Sequence, residues 1–323
     1  MRKLLTLILF LFLTFCILTN PALSLSFAGN GLVLWYDKMI PALLPFMILS
    51  GTLIRMGLTE GFTTLVYPLV GPIYRVSRNV CYVMLMGFMC GFPMGAKCVS
   101  DLYLRGGLTK REAAYLLAFC NNIGPVYFVS FALPVIGCNK LVLPLLGMYG
   151  LPLLYGFFLR YTSYCDLDYC KLIHYDGSIE SAQNVRTMHS AQNSQPLQHM
   201  QNSQSLLPAL DEAIHASIQS MLMLGGYMIL FNLLMLVPYL YGKRWFPYLA
   251  PILEITGGLA VLENSLPIYS LILLPFGGLS CIAQTYTCMK DTDLPLWDYV
   301  QHKLLLTAIT ACYYLFLRFL RLL

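Results

Sequence analysis

Charge is scarce in this sequence: Asp, Glu, Lys and Arg make up 11% of its 323 residues. A soluble domain carries about 25%, because ionised side chains keep a large surface wet. So small a supply excludes a water-facing globule. With 58% hydrophobic residues and a mean hydropathy of +0.67, much of the surface is expected to face lipid. Catalytic signatures are missing as well. There is no Walker A loop, no His-Glu-x-x-His and no Gly-x-Ser-x-Gly, so the chain is not expected to be an enzyme. Nor is there a basic stripe interleaved with aromatics. The net charge of +5 comes from Lys and Arg scattered at segment ends, which argues against nucleic acid as a partner. Cysteine is present, eleven times, but without a disulfide pattern: Cys16, Cys81, Cys90, Cys98, Cys120, Cys138, Cys281, Cys288 and Cys312 sit in apolar runs as small buried residues. Cys165, Cys170 and His174 share a polar stretch that reads as a juxtamembrane loop rather than a metal site. No metal or cofactor is expected.

What is present is a series of apolar runs, at 4–23, 40–56, 80–92, 112–137, 141–161, 207–237, 266–279 and 297–321. A crossing takes about 20 residues at ~1.5 Å each. Two runs are too short, and both end in helix breakers: 80–92 at Gly91-Phe92-Pro93-Met94-Gly95-Ala96-Lys97, and 266–279 at Pro275-Phe276-Gly277-Gly278-Leu279-Ser280. They read either as kinked helices or as re-entrant hairpins, and the charges favour hairpins. With Arg2 and Lys3 inside, a hairpin over 80–104 keeps Arg55, Arg75, Arg78, Arg105, Lys110 and Arg111 on the cytoplasmic side. A second hairpin over 266–290 then dips in from outside, and 297–321 returns Arg318 and Arg321 to the inside. Lys140, Lys243, Arg244 and Lys290 are the exceptions.

The two units have opposite orientations, as in inverted-repeat transporters. In this register Gly91, Ala96 and Lys97 fall opposite Gly278, Ala283 and Gln284. The stretches 24–38, 58–79 and 243–262, with their aromatics, charges and prolines, are expected to lie in the interface. Residues 4–18 resemble a signal peptide but are read as a retained first helix. The polar stretch 162–206, with His189 and His199, is expected to be a disordered cytoplasmic loop. The expected architecture is an all-α integral membrane protein with about six spanning helices and two opposed re-entrant hairpins. Its parts are a first helix and interfacial segment (1–36), one repeat (37–161), the polar loop (162–206) and a second repeat (207–323).

A charge at membrane depth costs about 2.5–3.5 kcal/mol, so it has a task or a partner. Lys97 stands just past the first hairpin break, at the positive N-terminus of a helix from 94 to 104, where an anion would bind. Its other reading is a snorkelling side chain or a pair with Asp101, one turn on. Asn121 and Asn122 precede Gly124-Pro125. Either they form a polar site beside freed backbone groups, or they repair that break. Glu254, followed by Thr256, is an interfacial carboxylate, a proton or cation site, or a partner of Lys97. Ser280 and Gln284 flank the second break and are placed either to hydrogen-bond a solute or to bond between helices.

These residues carry a resemblance. The blocks Pro41-Ala42-Leu43-Leu44-Pro45-Phe46, Gly91 to Lys97, Phe119-Cys120-Asn121-Asn122, Glu254-Ile255-Thr256 and Phe276-Gly277-Gly278-Leu279-Ser280 resemble, in order, the YlbJ (SpoVV) family of sporulation integral membrane proteins. That family belongs to the wider group with a nucleoside-recognition, or Gate, domain. It commonly has Asn after Glu-Ile-Thr, where this chain has Gly257. The resemblance implies a multi-pass protein of a bacterial cell membrane, including the forespore membrane, that moves dipicolinate, a small aromatic dianion, in sporulation. The expected partners are therefore a small-molecule anion and the lipid bilayer, with a homo-oligomer left open. The solute is expected to bind at Gly91, Pro93, Gly95, Lys97, Asn121, Asn122, Ser280 and Gln284, with Glu254 and Thr256 coupling ions. A nucleoside transporter and a non-transporting scaffold are the alternatives.

Overall fold

The computed structural model describes residues 2–138, 140–167 and 205–322. Most of the polar loop expected at 162–206, with Cys170, His174, His189 and His199, lies outside the described residues. Every regular element among them is helical. Among the described residues five helices are long and apolar enough to cross a membrane: Pro21–Arg55, Val142–Tyr161, Leu206–Tyr241, Pro267–Met289 and Leu296–Phe319. The outer surface is rich in large apolar side chains, among them Leu25, Leu207 and Phe319. Such a surface is stable against lipid and not against water. The chain is a polytopic, all-α membrane protein.

One order of elements occurs twice. In the first half the long helix Pro21–Arg55 is followed by two short surface helices, Thr59–Thr63 and Tyr67–Tyr74. Next come a pair of half-length helices (Arg78–Cys90 and Met94–Leu104), a broken helix (Lys110–Phe119, then Pro125–Ile136), and the helix Val142–Tyr161. In the second half Leu206–Tyr241 is followed by the pair Phe246–Leu253 and Ile255–Leu262, then Pro267–Leu273 and Gly278–Met289, then Leu296–Phe319. The two long helices pack along each other in opposite directions: Gly51 meets Ala213, while Gly31 meets Met228 and Asn232. Small residues at these crossings let the backbones close, which is how helices associate where lipid removes the hydrophobic drive.

The first hairpin lies where the sequence places it. Ser77 caps its first arm by accepting from Val80 N, and Gly91, at φ +84°, ends that arm. A capping box of Thr109 and Glu112 then starts the next helix. Each such cap stabilises a helix end by about 1 kcal/mol.

The second hairpin is not at 266–290. It is formed by Phe246–Leu253 and Ile255–Leu262, whose arms pack against one another, and Glu254 is its tip. Gly258 allows this, since a methyl group there would overlap the backbone of Pro251. The segment 243–262 is therefore not an interfacial helix. Residues 267–289 instead form a crossing helix interrupted at Gly277 and Gly278 (φ +75° and +80°), whose halves do not fold back on each other. Two left-handed glycines unwind the helix locally, and the chain continues in its original direction. The register pairing Gly91 with Gly278 is corrected accordingly: the tip at Gly91 matches the tip at Glu254, and the break at 120–124 matches that at 274–277.

The stretch 24–38 is likewise no separate interfacial segment. It is part of Pro21–Arg55, widened by one π turn at Trp35–Met39. The crossing at 267–289 also moves charges. Asp293 binds Lys110, so Lys290 lies at the basic end of the bundle. Lys140 donates to Leu322 O, so Arg318 and Arg321 belong to the other end, with Lys140. The basic end, with Arg55, Arg75, Arg78, Arg105, Lys110, Arg111 and Arg160, is the cytoplasmic one by charge bias.

Candidate functional site

Four interruptions meet at the centre of the bundle: the two hairpin tips and the two helix breaks. The first tip lies on the first break. Phe92 N donates to Asn122 O at 2.6 Å, and a methyl at Gly91 would overlap Gly124 N. The second tip lies on the second break, where a Cβ on Gly278 would stand 3.2 Å from Ile255 N and Pro251 O. The pairs also touch crosswise. Phe92 packs on Gly277, and Tyr127 Oη donates to Thr256 Oγ1 at 3.1 Å.

Glu254 is 2% exposed, and as N-cap of Ile255–Leu262 it accepts from Thr256 N (3.0 Å), Gly257 N (2.6 Å) and Asn232 Nδ2 (3.2 Å). The positive end of the helix and the amide solvate the carboxylate that the membrane strips of water. Gly257 sits against Asn232: a side chain there would overlap Asn232 Oδ1. In this chain Asn232 supplies an amide to the same carboxylate from the neighbouring long helix.

Asn121 and Asn122 are fully buried, and their polar atoms are taken up by the protein. Asn121 Nδ2 donates to Thr285 Oγ1 and Tyr299 Oη, each at 3.0 Å, and its Oδ1 accepts from Ala96 N at 3.3 Å. Asn122 Nδ2 donates to Phe119 O at 2.6 Å. The amides hold the break together, tying the first hairpin to the second half. Behind them stands a residue for which the sequence reading made no provision. Lys303, fully buried on Leu296–Phe319, donates to Asn121 O and to Asn122 Oδ1 (3.3 Å). A helical stripe was the available signal: Tyr299, Lys303, Leu306, Thr310, Tyr314 and Leu317 recur at three- and four-residue steps and are all buried.

A cleft of about 590 Å³, counted to its mouth, opens between the tips. Phe46, Phe92, Tyr127, Met228, Glu254, Thr256 and Gln284 are among the residues around it. Gln284 and Leu224 also border a second, more polar cavity of about 860 Å³, lined by Pro93, Lys97, Asp101, Tyr227, Lys290 and Asp291. A third, of about 660 Å³, lies past Asn232 and Gly257, beside Phe27, Asn30 and Met235. The three follow one another along Leu206–Tyr241, from Ala216 to Met235, about 28 Å at the helical rise.

The expected site residues therefore divide. Gly91, Gly95, Asn121 and Asn122 build the junction, while Glu254, Thr256 and Gln284 border the cleft. Ser280 is buried and accepts from Gln284 Nε2 at 2.9 Å, setting that side chain. Pro93 and Lys97 border the polar cavity, and Lys97 pairs with Asp101 at 3.1 Å, not with Glu254. Among the described residues no group of His, Cys, Asp and Glu could hold a metal ion.

No protein-family model matches the chain, and no solved structure matches it. A curated protein, the sporulation integral membrane protein YlbJ of Bacillus subtilis (strain 168), is 36% identical over 118 residues. The matched stretch covers 36% of this chain and 29% of that relative. With its helices built to face lipid, the chain is a multi-pass membrane protein, similar over that stretch to a sporulation integral membrane protein.

Proposed function

We propose that the protein is a permease for a small, flat, carboxylated solute of the dipicolinate kind, bound in the cleft between the four interruptions. The observation that carries this reading is the row of three cavities along one spanning helix, with broken helices at its middle. Irregular backbone at membrane depth is tolerated where it lines a solute path. Aromatic and apolar walls suit a ring. The helices starting at Pro125 and Gly278 have no side-chain caps, and their positive ends suit carboxylates. Gln284 stands between the polar cavity and the cleft and is placed to bond the solute as it passes. Glu254, in the cleft wall, is the group for proton or cation coupling.

The same carboxylate favours a second reading, a nucleoside, whose sugar hydroxyls would donate to it while the base stacks on Phe92 or Tyr127. Uptake of labelled dipicolinate into proteoliposomes of the purified chain, with unlabelled dipicolinate or uridine as competitor, separates the two. Dipicolinate uptake is expected, and Gln284→Leu should lower it about tenfold, the value of one lost hydrogen bond. Uptake of uridine alone would move the assignment to a nucleoside. Uptake of neither would make the chain a scaffold.

A further inference from the structure

Lys303 has an environment unusual for a side-chain ammonium. It is fully buried on a spanning helix, and among the described residues no carboxylate lies within ion-pair distance of it. Its hydrogen-bond partners are two carbonyl oxygens, the backbone oxygen of Asn121 and the amide oxygen of Asn122. Two ring faces complete the surroundings, Phe92 at 5.6 Å and Tyr299 at 5.7 Å from the nitrogen. Amide oxygens that replace a hydration shell, with aromatic faces around them, hold a bare monovalent cation.

The position also matters. Asn121 and Asn122 follow Cys120, the C-cap of helix Lys110–Phe119, whose C-terminal end is negative. Phe92 belongs to the first hairpin tip, and its own N–H donates to Asn122 O. A positive charge here neutralises the end of a half-helix and joins it to the tip. A carboxylate partner would cancel that effect, and none is present among the described residues.

We propose that Lys303 is a tethered monovalent cation: its ammonium occupies a carbonyl-lined position between the first hairpin tip and the first helix break, so that the fold needs no free cation there. The inference concerns the scaffold of the cleft and does not depend on which solute the cleft takes. Lys303 is a positioning residue. It touches neither cleft nor solute and acts through Asn121, Asn122 and Phe92.

The test is thermal melting of the purified full chain in detergent, in the chlorides of choline, sodium, potassium and methylammonium. The wild-type protein is expected to melt at one temperature in all four. Lys303→Ala should melt several degrees lower in choline, which is too large for the vacated position, and recover in methylammonium or potassium. A merely structural lysine would show the loss without the recovery. A Lys303→Ala protein that stays monodisperse yet responds to no small cation overturns the proposal, and so does a wild-type protein that needs sodium or potassium. Should the Ala variant fail to fold, Lys303→Met keeps the stem and removes the charge. It is expected to melt low in every salt, and wild-type stability in that variant overturns the proposal.

Discussion

Single atoms decide what fits at the centre of the fold. Gly124 has an ordinary backbone conformation, so alanine is allowed there by torsion, but a Cβ would stand 2.6 Å from Cys90 O. Gly29, on the long first-half helix, has nothing within 4 Å of the same added atom. Gly124→Ala should therefore destabilise by about 1–3 kcal/mol, the cost of overpacking, whereas Gly29→Ala should gain roughly 0.5–1 kcal/mol from helix propensity. Melting both variants beside wild type checks the pair. Equal stabilities would mean that the first tip and the first break are not in contact. The glycines and prolines of this junction were legible in the sequence because breakers are rare inside apolar runs. Lys303 was not. A lone basic residue near the start of a long apolar helix also suits snorkelling to the surface, and only the phase of the buried stripe separates the two.

At the level of elements, a short apolar run with glycines has two solutions, reversal or continuation, and composition does not choose between them. The first hairpin is legible because Arg75 and Arg105 flank it with like charge, and its arms do return to one end. In the second half the run 266–279 looked like a reversal because Gly277-Gly278 is the stronger breaker. The true reversal needed only one extended residue, Glu254 at φ −143° and ψ 121°, and a glycine to let the arms close. Pro251 and Gly258 carried that signal, but the run 246–262 is only about half a bilayer's length in each direction and passed for an interfacial helix. Single cysteines at positions 243, 264 and 291, in a background without accessible thiols, test the revised topology. Impermeant maleimide added to intact cells should label the Lys243→Cys and Asn264→Cys variants together and leave Asp291→Cys for permeabilised cells. Labelling of 264 and 291 from the same side would restore a hairpin at 266–290 and remove Glu254 from the tip.

Across the whole molecule the two halves are held at the centre by Asn121 and at the basic end by Asp293. Asp293, in the turn before the last spanning helix, accepts from Lys110 Nζ at 2.7 Å and from Tyr103 Oη at 2.6 Å, so it bridges to the first hairpin and the first broken helix. Its carboxyl is held below the usual aspartate range, first by the Lys110 hydrogen bond and then by the one from Tyr103. A carboxyl depressed in the folded state stabilises fully above its unfolded pKa, about 3.9, and that contribution is lost as pH falls through the lower folded value. Asp166, paired with Arg111 at the same end, is lowered for the same reason, so acid loosens two ties together. Comparing Asp293→Asn with wild type isolates one of them. At about pH 7 the variant should melt lower, and the gap should persist to about pH 5, narrow below about pH 4 and close only at the lower pH where the folded carboxyl protonates. Both groups are exposed and screened by salt, so the gap should also shrink at high ionic strength. A gap constant across the pH series would assign the loss to packing of the turn and not to the charge that joins the halves.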